Sequence, residues 1–368
     1  MIDHFPSRFL RRQRTASLSH EAFHRARAAA HFFALQDLIL VAYLLIVLGL
    51  LLGGASMTNP TLATGCAQHV YAAIAVTVLG AVAARGLDGA SWWKAGLYRV
   101  CLVGVIIENY LMLRHLLPLI RPDTVDATLY RIDISIFGVE PALWLEKLNQ
   151  RFVVEWFSFF YLSYFWINAA YLVAIAFIRR GGRETSAYAI GILITFCVGQ
   201  LGYMAVPGFG PVGYLASSFH APLDGGFFWS CVSRTVSAGS AMKDIFPSLH
   251  TAVPTFLTWF AWQRSRTEPR WRLVALATGF FAANIIVSTM LLRWHFAIDV
   301  VAGLALGSAA GFLAPRLALV EERFRDRLGV PHAWDFRDVA ERGADAPVDA
   351  RRRSRGGGSA AKVAAAAE

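Results

Sequence analysis

Eight stretches of this chain are apolar over a membrane-crossing length or close to it, and no other feature limits its fold as much. They run Leu35–Leu52, Val70–Ala84, Leu97–Leu117, Trp156–Ile178, Ala187–Pro207, Leu249–Trp262, Trp271–Leu292 and Phe296–Ala314, the second and sixth being short. Crossing the hydrocarbon core as a helix takes roughly 20 mostly apolar residues. The chain is 56% hydrophobic and 16% charged, with a mean hydropathy of +0.46, and a soluble chain of 368 residues carries more charge than that. The expected fold is all-α, a polytopic membrane helix bundle of about eight transmembrane helices.

Basic residues mark one side of these runs. Arg8, Arg11, Arg12, Arg14, Arg25 and Arg27 precede the first. Later connections on the same side hold Arg85 and Lys94, then Arg179, Arg180 and Arg183, then Arg264, Arg266, Arg270 and Arg272. Arg323, Arg325, Arg327 and the Arg351–Arg355 cluster follow the last run, whereas the first connection on the other side, Gly53–Gln68, has no basic residue. The positive-inside rule then puts both termini in the cytoplasm of a multi-pass cell-membrane protein. The net charge of +10 is a topology signal facing anionic inner-leaflet lipid and asks for no nucleic-acid partner. The Gly/Ala-rich surroundings of Arg351–Arg355 read as a solvated, disordered end more than as an RNA-binding tail. Gly53-Gly54-Ala55-Ser56 resembles a cleavage site, but more than thirty residues before the first run are too many for a signal peptide.

Four segments follow from this pattern: a basic N-terminal tail (1–34), two N-terminal transmembrane helices (35–96), a catalytic membrane core (97–320) and a largely disordered cytoplasmic tail (321–368), with disorder expected beyond about Val330. No repeat of the kind seen in many transporters is present. Two long connections fall on the non-cytoplasmic side. Pro118–Glu155 suits one or two short interfacial helices broken at Gly138 and Pro141. Gly208–Phe246, rich in Gly, Pro, Ser and aromatics, reads as a structured loop or lid. Cys101 and Cys197 fall in spans as packing residues. Cys66 and Cys231 share the side where a disulfide is permitted, and spacing alone does not join them.

Two short words carry the chemistry: Pro247-Ser248-Leu249-His250 and, forty-five residues after His250, His295-Phe296-Ala297-Ile298-Asp299. Each opens an apolar run at the non-cytoplasmic interface. Residues four apart share a helix face, so Asp299 can accept from one imidazole nitrogen of His295 and leave the other as a nucleophile. His250 stands across as the acid for a leaving oxygen. The helix start after Pro247 offers N–H groups to an anion, with Ser248 an added donor. Arg293 and Lys243, each close in sequence to one of the words, are candidates to neutralise phosphoryl oxygens. Singly each word is weak, since such histidines more often bond a helix end and i,i+4 polar pairs are common. Together, where ionisable groups are expensive to hold, they point to function.

The pair resembles the second and third signature motifs of the type 2 phosphatidic acid phosphatase superfamily, over roughly Leu97–Ala314. The resemblance implies a six-helix core with His295 as nucleophile, Asp299 orienting it and His250 as general acid, and no metal or cofactor. Departures are visible. Leu249 stands where the common form has Gly, and Thr289 where it has Arg, which Arg293 can replace. The first motif, Lys-x6-Arg-Pro, is missing before the Gly208 loop. Arg114 and Arg121-Pro122 fit Arg-x6-Arg-Pro two helices earlier, which returns them to the same side as candidate phosphate ligands. The Ser-Leu-His form and Asp133-Ile134-Ser135-Ile136-Phe137-Gly138 are similar to the inositol phosphorylceramide synthase-like phosphotransferases.

The resulting expectation is a metal-independent lipid phosphotransferase or phosphatase acting through a phosphohistidine at the non-cytoplasmic face. Its substrate would be a phospholipid or isoprenoid phosphate, and its acceptor a hydroxyl or water. Two alternatives remain: a membrane metalloenzyme with His250, His295 and Asp299 as ligands, and a lipid or ion transporter using Asp299, Glu108 and the histidines as a relay. Glu108 pairs with Arg114 or another basic group, or faces the bundle interior; Gln200 reads as a helix–helix hydrogen bonder; Tyr214 and Arg234 are candidate substrate contacts.

Overall fold

Each of the eight apolar runs is helical, apart from at most two end residues, in the computed structural model, which describes residues 21–54, 59–86, 91–178, 182–239 and 242–336. Helix α1 (residues 21–32) leads into α2 (Leu35–Gly54), α3 (Pro60–Gly86) and α4 (Ser91–Ile120). The first long connection forms α5 (Asp126–Phe137) and α6 (Pro141–Leu145) before α7 (Arg151–Tyr171), a π-helical turn at Leu172–Ile178, and α8 (Arg183–Ala205). The second forms α9 (Gly210–Tyr214) and α10 (Phe227–Gly239), and α11 (Leu249–Arg264), α12 (Trp271–Leu291) and α13 (Ala297–Leu328) complete the bundle. Among the described residues there is no strand.

Seven of these helices are long and apolar enough to cross a membrane, and α11, at 16 residues, is the exception. Its surroundings explain why it can be short. α7, α8, α12 and α13 all pack on it, so its ends rest in protein, where irregular backbone is tolerated.

α11 and α13 pack backbone against backbone. A Cβ on Gly303 would lie 2.5 Å from the Ser248 carbonyl oxygen, and one on Gly307 2.2 Å from that of Ala252. Small residues four apart let two helix backbones meet without an aqueous hydrophobic effect to drive them together. Gly307→Val is therefore expected to lower stability by about 1–3 kcal/mol through overpacking. Thermal unfolding in detergent checks this, and an unchanged midpoint would mean that the helices separate freely.

Tyr43 on α2 donates to Gln200 Oε1 on α8 at 2.5 Å, so Gln200 does join helices as expected. Glu108 stands 4.0 Å from His69 and half exposed, away from Arg114. All four cysteines are free. The short helices expected in the first long connection are α5 and α6, with Gly138 in a left-handed conformation (φ 73°) ending the first.

The C-terminal boundary differs from expectation. α13 runs through residue 320 to Leu328, and residues 331–336 fold back onto the bundle with Trp334 and Phe336 buried. These two aromatics provide apolar surface that a composition dominated by Ala, Gly and Arg hides. Arg8, Arg11, Arg12, Arg14, Arg179, Arg180 and the Arg351–Arg355 cluster lie outside the described residues.

Candidate active site

The starts of α11 and α13 meet at one end of the bundle, and a main-chain hydrogen bond from Ser248 N to the Asp299 carbonyl (3.0 Å) ties the two words together. His295 is held just before α13 by the tight turn after α12, where Trp294 N and His295 N both donate to the Thr289 carbonyl. Its Nδ1 stands 3.4 Å from Asp299 Oδ2, and that oxygen also accepts from Phe296 N (3.0 Å). Asp299 is fully buried and His295 nearly so. Burial pushes the His295 imidazole down to about 4, against the opposing pull of Asp244, so the ring is neutral at neutral pH.

His250 sits in an aromatic slot. Its ring stacks on Tyr161 (centroids 4.2 Å apart, planes 14° apart) and on Tyr164 (4.1 Å, 28°), and its buried Nε2 has no hydrogen-bond partner. Both histidines line one cavity of about 570 Å³ together with Tyr161, Tyr164, Asp244 and Trp294. Asp244 accepts from the Tyr110 hydroxyl (2.9 Å), which links α4 to the mouth of the site. Sequence reading missed Asp244 and these tyrosines. The aromatics sit three apart in an apolar run, where such spacing usually signals packing, and Asp244 stands in a loop beside the better-noticed Lys243.

α5 adds two buried carboxylates beside the site. Asp133 accepts from Ala297 N (2.6 Å) and Ile298 N (2.9 Å), satisfying the first free donors of α13, while Asp126 accepts from Phe209 N (3.1 Å) and Gly210 N (2.9 Å). Seven residues apart, the two carboxylates lie on one face of α5. Together they fix the loop on one side of His295 and the helix on the other. Gly210 (φ 72°) lets that loop touch the Trp294 carbonyl, where a Cβ would come within 2.3 Å.

The resulting acid cluster includes Glu140, which caps α6 through Ala142 N (3.0 Å). Burial, with Asp133 and Asp299 nearby, pushes the Glu140 carboxyl up to about 7 against the Ala142 hydrogen bond. A carboxyl raised above its unfolded value loses stability as pH rises from the unfolded toward the folded pKa. Glu140→Gln, which keeps the acceptor, is expected to raise the unfolding temperature at pH 8 and to flatten its decline between about pH 4.5 and 7. An equal pH slope in both proteins would remove Glu140 as the cause.

The candidate phosphate ligands are placed as follows. Ser248 is buried beside His250 with an unpartnered Oγ. Arg293 (φ 68°) turns away from the cavity: it donates to Glu146 (3.2 Å) and the Ala221 carbonyl (2.9 Å), and its guanidinium lies 3.8 Å from the Phe219 ring centroid. Lys243 donates to the Pro122 carbonyl (2.6 Å), Arg121 to that of Ala205, and Arg114 to that of Ala238 (2.9 Å). These last three contacts are exposed, at the histidine end, and none of the four cations lines the cavity. Among the described residues no group of three or more His, Cys, Asp or Glu is arranged to hold a metal ion.

No curated protein and no solved structure matches the chain. A family model of the PAP2 superfamily matches residues 128–313, half of the chain, and takes in His250, His295, Asp299 and Asp133, with Asp126 just before its start. With this match laid over an all-helical bundle containing seven membrane-length helices, the chain belongs to the PAP2 superfamily, as a multi-pass membrane phosphatase or phosphotransferase.

Proposed function

We propose that the chain transfers the phosphorylated head group of a lipid through a phosphohistidine on His295, with Asp299 as orienter and His250 as general acid. The observation that carries this reading is that His250 and His295 line one cavity while Asp299 stands behind His295 Nδ1. In the first step the ring nitrogen of His295 opposite Nδ1 attacks phosphorus, and the ring gives up its hydrogen bond to the Ile245 backbone. A P–N bond forms as the P–O bond to the leaving alcohol breaks, and His250 gives that oxygen a proton. In the second step water or an acceptor hydroxyl attacks phosphorus and releases His295, and its proton returns to His250. Asp299 stabilises the charge that His295 carries while phosphorylated.

Phosphoryl charge falls to Ser248 and to Lys243, Arg114 and Arg121 at the rim, whose present partners are main-chain carbonyls; Arg293 would have to release Glu146 to join them. Transfer between lipids, as in the inositol phosphorylceramide synthase-like branch, rests on the Ser248-Leu249-His250 form and on residues 133–138. The basic connections gather at the bundle end opposite the histidines, which supports cytoplasmic termini and a site on the non-cytoplasmic face.

The test is turnover by purified protein in EDTA with phospholipids, isoprenoid phosphates and alcohol acceptors, beside His295→Ala. Turnover that survives EDTA and vanishes in the variant supports the histidine route, and the product separates hydrolysis from transfer. Loss of activity in EDTA would favour a metal site instead. Absence of phosphoryl chemistry with every substrate would favour transport.

The rate should fall on the acid side as His295 gains a proton, with its midpoint near about 4, well below the ~6.5 of an ordinary imidazole. A rate flat from roughly pH 5 to 9 would exclude a required acid.

A further inference from the structure

The cavity beside the histidines is far longer than a phosphate needs. α8 lines it from Tyr203, at the histidine end, to Thr185, at the opposite end. The eighteen residue steps between them span ~27 Å at ~1.5 Å each, close to the ~30 Å of a whole hydrocarbon core. α4 follows the same course from Tyr110 to Arg99, contributing residues at spacings of three and four. α7 forms the third wall. α4 and α7 make almost no direct contact, and Ile107 and Leu111 on one and Phe165 on the other are exposed along the gap. A lengthwise slot therefore opens sideways toward lipid. An ordinary acyl chain ends near the bilayer midplane, ~15 Å deep, and the cavity continues well past that depth.

Its far end is closed by residues that follow α13. Trp334 lines the cavity there, packed on Tyr98 (centroids 5.3 Å) and Phe336 (6.2 Å), with the Arg99 guanidinium 5.6 Å from its ring centroid. Two buried arginines anchor this segment. Arg85 Nη2 donates to the Ala333 carbonyl (3.1 Å), and Arg325 Nη1 to that of Pro331 (2.9 Å). Arg85 is itself fixed by Asp37 at 2.9 Å. Both Arg99 and Trp334 lie outside the stretch that matches the family.

We propose that residues 331–336 are the floor of a hydrocarbon tunnel, and that Trp334 sets the longest lipid chain the histidine site accepts. The occupant is one linear hydrocarbon chain, longer than a single leaflet, belonging to the lipid whose phosphate reaches His295. It enters between α4 and α7. This rests on the reading of the histidine site as a phospho-lipid site, and its test separates the two.

The full-length protein in lipid nanodiscs is offered alkyl phosphonates of graded chain length, which cannot be turned over, each carrying a photoreactive diazirine at the chain end. The longest chain bound is expected to label Arg99, Thr185 or Trp334. Trp334→Ala should move the length limit upward, with a gain of roughly fourfold in affinity per methylene beyond the wild-type limit. Ala189→Phe, which blocks the tunnel one turn short of Thr185, should move the limit downward and abolish labelling at Trp334. Labelling confined to lipid-facing residues such as Leu79 and Leu276, or a limit that neither variant moves, overturns the proposal. Length-limited binding without phosphoryl turnover would keep the tunnel and reject the reaction; turnover indifferent to chain length would do the reverse.

Discussion

His295→Ala is expected to abolish phosphoryl turnover, by roughly 10⁴-fold or more, because loss of a nucleophile removes the covalent route outright. His250→Ala should behave differently. A general acid contributes roughly 10²–10⁴-fold, and its contribution falls when the leaving group departs without a proton. The loss in His250→Ala should therefore be large with a lipid alcohol as leaving group and small with a nitrophenyl ester of the same phospho-lipid. The loss in His295→Ala should be equally severe with both. Asp299→Asn should fall between them, because the buried side chain still accepts from Phe296 N while the charge that stabilises a phosphorylated His295 is gone. Quenching the wild-type enzyme during turnover of the nitrophenyl substrate should trap the phosphoryl group, with the ester it retains, on His295, and His250→Ala should accumulate more of it, because the first step then needs no acid while the second still uses His250 as base. If the nitrophenyl substrate fails to rescue His250→Ala, the residue is not the acid. Label on any residue other than His295 would reassign the nucleophile.

The membrane architecture was legible because lipid leaves a simple record: long apolar runs with basic residues to one side. The two histidines and Asp299 were legible for a related reason, since polar groups at membrane depth stand out against Leu, Ala and Phe. What stayed hidden depended on direction. Arg293 is two residues from His295, which made it a natural phosphate ligand, but a left-handed backbone turns its side chain to Glu146. His250 lacks a charged partner in the site and is held instead by Tyr161 and Tyr164, and two tyrosines in a span look like packing until the third ring is placed. Trp334 and Phe336 were lost in a tail whose average composition says disorder. α11, the shortest helix among those carrying the eight apolar runs, reads as short because its length is judged against lipid, whereas its neighbours are protein.

Asp133 gives the sharpest test of how the fold places the nucleophile. Its carboxylate is fully buried, 164 residues before Ala297, and accepts from two backbone donors at the start of α13. Asp133→Ala leaves both unpaired. Each such buried donor costs ~1–3 kcal/mol, partly offset by relief from Asp299 and Glu140, so a net loss of about 2–4 kcal/mol in stability is expected. The kinetic effect should exceed what that loss explains. With α13 unpinned, His295 drifts from its near-attack position, and errors of an ångström there cost roughly 10²-fold. The drop should appear in kcat measured per folded molecule, with KM little changed, because Asp133 does not line the cavity. Asp133→Asn keeps one acceptor and should recover part of both losses. Asp126→Ala supplies the contrast: it frees Phe209 and Gly210 on the loop side, and should match the destabilisation with a much smaller fall in kcat. If Asp133→Ala and Asp126→Ala lower stability and kcat in the same proportion, α5 is only a brace. If kcat falls selectively in the first, α5 is the element that aims His295.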